Sequence, residues 1–214
     1  MGFIIDVLLT LKAKVNPYLI RSKPRHKQIY VIHGYGASIE DHWFQYVKKN
    51  LQNKNTTVTL IHLPNSDQPD FMKWQGALSR QISSIDNNTL FIAHSLGCLT
   101  VLNFLEHNKI KSVGGLVCVS GFIDCLPSLP ELDEYIGHSK KCFLVVNNIG
   151  IKHMYISDND SYVPSEFSIN LAKQLGFTYT IIPNSGHFLA KDGYCEFPEL
   201  VSLIKQILSI NIYK

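Results

Sequence analysis

Short apolar runs rich in β-branched residues alternate along this chain with longer segments of helical spacing, and that alternation admits few folds. The runs are QIYVIHG (Gln28 to Gly34), TVTLIHL (Thr57 to Leu63), TLFIAH (Thr89 to His94), VGGLVCVSG (Val113 to Gly121), IKHMYIS (Ile151 to Ser157) and FTYTIIP (Phe177 to Pro183). The first is apolar through its centre, as a strand covered on both faces must be. Between the runs the spacing predicts helices. In SIEDHWFQYVKKNLQNK, Ser38 is placed to cap, and Trp43, Phe44, Val47 and Leu51 make one apolar stripe. PDFMKWQGALSRQISSI, LGCLTVLNFLEHN, PSEFSINLAKQLG with Pro164 at its start and Gly176 at its end, and FPELVSLIKQILSI follow in turn. The pattern predicts an α/β fold, a mostly parallel sheet with helices on both faces. CFLVVNN, before IKHMYIS, reads as a buried strand or a helical turn, since periodicity does not separate them over so few residues.

A chain of 214 residues suits one domain, and no linker or repeat divides it, so residues 28–214 are expected to form a single unit. Residues 1–27 read as an N-terminal extension, an extra helix packed on the domain, with an interfacial or dimer-forming helix as the alternative. Its apolar part is interrupted by Asp6 and ended by Lys12, too short to span a bilayer. The net charge of +3 argues against a nucleic-acid partner, and the cluster Arg21, Lys23, Arg25 and Lys27 reads as a solvated linker. Five scattered cysteines without a C-x-x-C pair suggest neither a disulfide framework nor a zinc site, and fit a reducing cytoplasm.

One polar residue sits where chemistry rather than folding explains it. Ala93-His94-Ser95-Leu96-Gly97 joins a predicted strand to a predicted helix, close to the G-x-S-x-G turn that presents a nucleophilic serine. The competing reading is a serine that merely caps the helix. A base and an orienting acid should follow on loops after later strands, where active sites of parallel sheets gather. His187, in PNSGHF, is the base candidate among nine histidines; His33 and His94 adjoin motifs but lack an orienting carboxylate, and His26, His42, His62, His107, His138 and His153 read as filler. SDNDSYVP offers Asp160 as the acid, favoured over Asp158, which suits a structural tie; Asp124 is a third option. The loop HGYGAS and the helix start supply amides, so Tyr35 and Leu96 are candidates for an oxyanion hole.

IHGYGASIEDHWFQYVKKNL, IAHSLG, SDNDSYVP and NSGHF together resemble the small α/β-hydrolase serine hydrolase family that includes retinoblastoma-binding protein nine. The likeness covers Gln28 to Leu208. It implies an α/β-hydrolase fold with little or no cap domain, a short helical excursion before HMYIS, no metal or other cofactor, and a Ser95-Asp160-His187 triad. An HS-x-G turn without a leading glycine is usual in that family, which accommodates Ala93. The expected activity is hydrolysis of a small carboxylic ester or amide. A protein-interaction module on the same fold is the alternative. HFLAKD, His187 to Asp192, also has the H-x4-D spacing of glycerolipid acyltransferases, but those lack a serine turn of this kind.

Overall fold

The structure, a computed structural model, describes residues 26–139 and 143–209. The helix expected in the N-terminal extension, with Arg21, Lys23, Arg25 and Cys142, lies outside the described residues. Six strands form one sheet: β1 (Lys27–Ile32), β2 (Thr56–Ile61), β3 (Thr89–His94), β4 (Val113–Val119), β5 (Ile149–Ser157) and β6 (Thr178–Ile182). Their order is β2-β1-β3-β4-β5-β6, and every neighbouring pair is parallel. The helices are α1 (Phe44–Leu51), α2 (Phe71–Gln81), α3 (Leu96–His107), α4 (Asp133–Gly137), α5 (Ser165–Leu175) and α6 (Pro198–Ser209).

Alternation within each strand divides the core in two. Tyr30, Ile32, Phe91, Ala93, Leu116 and Cys118 face α2, α3 and α5 on one side. Ile29, Val31, Leu90, Ile92, Val117 and Val119 face α1 and α6 on the other. This is the period-2 geometry of a strand applied to a sheet with two covered faces, which is why the runs look uniformly apolar in sequence. Each large side chain so buried contributes roughly 1.5–3 kcal/mol relative to exposure.

Helix α3 is buried on all sides from Leu96 to Leu105. A helix this apolar needs a second cover, and the stretch between β4 and β5 supplies it. Tyr135 in α4 meets Thr100 Oγ1 at 2.8 Å, and the Val145 amide donates to Glu106 Oε2 at 2.7 Å. Leu144–Asn148 is a 3-10 turn rather than a strand, so this region is the short helical excursion that the family resemblance implied.

Helix α1 begins later than its sequence suggests. Ser38 does not cap it; its amide and hydroxyl both donate to Asp41 Oδ2, at 2.7 and 2.8 Å, closing a separate turn. His42 then takes φ 54°, which a helix interior does not allow, and Phe44 starts the helix. The stripe of Phe44, Val47 and Leu51 is buried as expected.

Candidate active site

Chain direction fixes where loops can meet. After β1 the chain moves one way to β2, then returns across β1 to β3, so the sheet order reverses between β1 and β3. Above the C-terminal ends of those two strands the outgoing loops diverge and leave a crevice. The loop after β1 (His33 to Ser38) and the turn holding Ser95 border it.

Ser95 adopts φ 54° and ψ −128°, a left-handed conformation that strains a non-glycine residue by roughly 1–3 kcal/mol. Its main chain is fixed: the amide donates to Val119 O and the carbonyl accepts from Cys98 N, both at 2.9 Å. Its hydroxyl makes no capping bond to α3, so the helix-cap reading does not describe what this side chain does. Close approach explains the glycines. A methyl at Gly97 would stand 2.5 Å from His33 O, and one at Gly34 would stand 2.8 Å from Ser95 Cβ and 3.3 Å from Leu96 N. Ala93 tolerates its methyl because it points into the core, fully buried.

His187 and Asp160 are brought together. His187 Nδ1 lies 2.7 Å from Asp160 Oδ2, and both residues are buried, at 7% and 8% exposure. Oδ2 also accepts from Ser120 Oγ at 2.8 Å, while Oδ1 accepts from the amides of Tyr162 and Val163, each at 2.9 Å. Burial pushes this carboxyl up, but the His187 ring, the Val163 amide and Ser120 outweigh it and hold it below the usual carboxylate range. An ionised carboxylate only accepts, so Nδ1 carries the ring proton and Nε2 of neutral His187 is a lone pair. Ser95 is 4% exposed, and the ring of its chain neighbour His94 is 4.8 Å from the His187 ring.

The loop carrying His187 is pinned amide by amide. Asn184 N donates to Asp158 Oδ1, Ser185 N to Ser157 Oγ, Gly186 N to Asn159 Oδ1 and His187 N to Asp192 Oδ2, at 2.8 to 3.1 Å. Asp158 is therefore structural, as expected, although it ties the neighbouring loop rather than its own turn. Asp192 holds main chain, not the imidazole, which gives the H-x4-D spacing a structural explanation. Asp124 is exposed at the end of the β4 loop, and His187 pairs with Asp160 instead.

Several contributors were not legible in the sequence. Ser120 supports the carboxylate from the end of β4, at φ 47°. Trp43 Nε1 donates to Phe188 O at 3.2 Å, and Ala190 N donates to His42 Nδ1 at 3.1 Å, so the segment before α1 grips the His187 loop. His42 is thus more than filler. His33 likewise joins two loops: its ring bonds Gly34 O through Nδ1 and accepts from Leu63 N through Nε2. No local signal marks these residues, because their partners are 145 and 148 positions away for Trp43 and His42. Among the described residues no group of three or more His, Cys, Asp or Glu side chains could hold a metal ion, and no helix is long and apolar enough to cross a membrane.

The same arrangement of sheet and loops occurs in known proteins. The ydeN gene product of Bacillus subtilis is 35% identical over 184 residues, 86% of this chain and 97% of its own length. Its crystal structure superposes with a TM-score of 0.81, covering 86% of this chain and 99% of that one. Est1E from Butyrivibrio proteoclasticus, in its complex with ferulic acid, shares the fold at 15% identity and a TM-score of 0.61, covering 90% of this chain and 92% of that one. The sequence pattern described as serine hydrolase matches residues 29–206, from within β1 to within α6, and so takes in the Ser95 turn, the Asp160 loop and the His187 loop together. An α/β-hydrolase sheet with that pattern along almost its whole length makes this chain a member of the serine hydrolase family.

Proposed function

We propose that this hydrolase cleaves a small carboxylic ester or amide through an acyl-enzyme on Ser95, with His187 as general base and Asp160 as its orienting acid. The observation that carries the reading is the bonded His187–Asp160 pair, whose imidazole lies 4.8 Å from the ring of His94, the residue before a strained serine whose hydroxyl does not cap its helix. Nε2 of His187 takes the Ser95 proton as Oγ attacks the substrate carbonyl, and the tetrahedral oxyanion is met by the amides of Tyr35 and Leu96. Among the described residues neither amide enters a main-chain hydrogen bond of the turns and loops, which supports that role. The protonated imidazole then donates to the leaving alcohol or amine. Water enters, gives its proton to Nε2 and adds to the acyl carbon; collapse returns the proton to Oγ and releases the acid. Asp160 stays ionised and steadies the imidazolium.

Five scattered cysteines without a C-x-x-C pair support a reducing, cytoplasmic setting. The test uses a fluorophosphonate probe and a short-chain nitrophenyl ester. Wild-type protein should label and turn over without added metal, and Ser95→Ala should do neither while unfolding at the same temperature. Labelling of Ser95→Ala would refute the assignment. Natively folded wild-type protein that neither labels nor turns over would favour a binding module instead.

A further inference from the structure

Beside the proposed base lies a second imidazole that the mechanism does not use. His94 ends β3, a strand whose every residue is buried, and is 2% exposed. Its Nε2 lies 2.9 Å from the main-chain carbonyl of His187, across 93 residues of sequence. A carbonyl only accepts, so Nε2 carries the proton and Nδ1 is left as a lone pair. That Nδ1 is buried and has no hydrogen-bond partner.

As a core residue this is a poor choice. A leucine would fill the same space without an orphaned acceptor, and buried polar atoms are otherwise almost always paired. What histidine supplies and leucine cannot is the one donor aimed at residue 187. We propose that His94 is a positioning residue for the base, holding His187 from behind through its own carbonyl while Asp160 holds the ring from the side. The inference rests on the hydrolase reading for its consequence, though not for its geometry.

The amides of Asn184, Ser185, Gly186 and His187 are taken by side chains from the end of β5, from the loop after it and from Asp192, and these fix the loop along its N–H face. The carbonyl of His187 is the remaining main-chain handle on the base itself, and it faces the serine turn. Holding it from residue 94 links the position of the base to the position of the nucleophile through one covalent neighbour. The groups facing His94 are the rings of His187, His42, Trp43 and Phe44, with His33 beyond, and no carboxylate is among them. Burial above all, and then His187, hold the His94 ring well below the usual imidazole value, so it stays neutral next to the imidazolium that forms on His187.

The experiment compares His94→Leu, which keeps bulk and loses the donor, with His94→Gln, whose amide nitrogen reaches about as far as Nε2. His94→Met replaces the leucine variant should that not fold. On a short-chain nitrophenyl ester, His94→Leu should lose on the order of 10- to 100-fold in kcat with KM changed by no more than about twofold, as a displaced base does. His94→Gln should recover most of that loss. The downfield proton resonance of His187 Nδ1–H, bonded to Asp160, should shift or broaden in His94→Leu and return in His94→Gln. Wild-type kcat and an unmoved resonance in His94→Leu would overturn the proposal, as would a glutamine variant no better than the leucine one. If wild-type protein itself neither labels nor turns over, the hydrolase reading falls, and the resonance still decides the role of His94.

Discussion

His187 Nδ1 lies 2.7 Å from Asp160 Oδ2, although 27 residues separate them in sequence. The bond fixes the tautomer of the ring and so decides which nitrogen can receive a proton. Asp160→Asn keeps the shape of the side chain but presents an amide that favours the opposite tautomer. A loss of ~10⁴-fold in kcat is expected, with KM little altered. Ester turnover across a pH series measures it, and a loss smaller than about tenfold would remove Asp160 from the mechanism.

Ser120 tests the support behind that carboxylate. Its hydroxyl shares Oδ2 with the His187 ring, so Ser120→Ala removes one of the bonds that favour the charged form. Stability should fall by about 1.5–3 kcal/mol, the range for a hydrogen bond to a charged group. The carboxyl should titrate at higher pH than in the wild type. Chemical denaturation and carboxyl titration by NMR give both readouts; an unchanged titration would show that Ser120 is incidental.

Asp192 separates a structural role from an acyltransferase-like one. Its Oδ2 accepts from the amides of His187 and Leu189, at 2.9 and 3.1 Å. A neutral carbonyl can do the same, so Asp192→Asn should keep kcat within about fivefold, while Asp192→Ala should lose about tenfold or more as the loop loosens. Equal, severe losses in both would mean that the charge itself takes part in the reaction.

Gly97→Ala probes the approach of α3 to the end of β1. The added methyl would stand 2.5 Å from His33 O, a main-chain atom with little freedom to move. The strain should cost about 1–3 kcal/mol and shift the Ser95 turn. Denaturation together with probe labelling checks this. Wild-type stability and labelling in Gly97→Ala would show that the approach of α3 to β1 accommodates a methyl without cost.

Acid should weaken the fold in two stages. The rings of His33, His42, His94 and His153 are held below 6.5, burial being the chief cause in each. As pH falls through 6.5 the unfolded chain binds protons at these positions and the folded one does not, so their contribution is complete above that pH and declines below it. Asp160, also depressed, contributes stability above its unfolded value near 3.8 that is lost as pH falls through its lower folded value. Urea midpoints between about pH 7.5 and 5 should fall in wild-type protein and fall less steeply in His94→Leu. A flat wild-type profile would contradict the buried, neutral state of these rings.

The order of strands and helices, and the serine turn itself, follow from short stretches of sequence. Period-2 and period-3.6 patterns, Pro164, Gly176 and the small residues around Ser95 act over a few positions, where chain geometry alone is decisive. His187 and Asp160 were legible too, because a parallel sheet sends every loop after a strand to the same edge. The start of α1 was not: Asp41 draws Ser38 into a turn of its own, and His42 answers to Ala190, 148 positions away. Nor was the support of the site by Ser120, Trp43 and His94. These residues bond main chain or carboxylate 40 to 145 positions away, and the energy of such a bond depends on where the sheet brings its two ends, which no local pattern encodes.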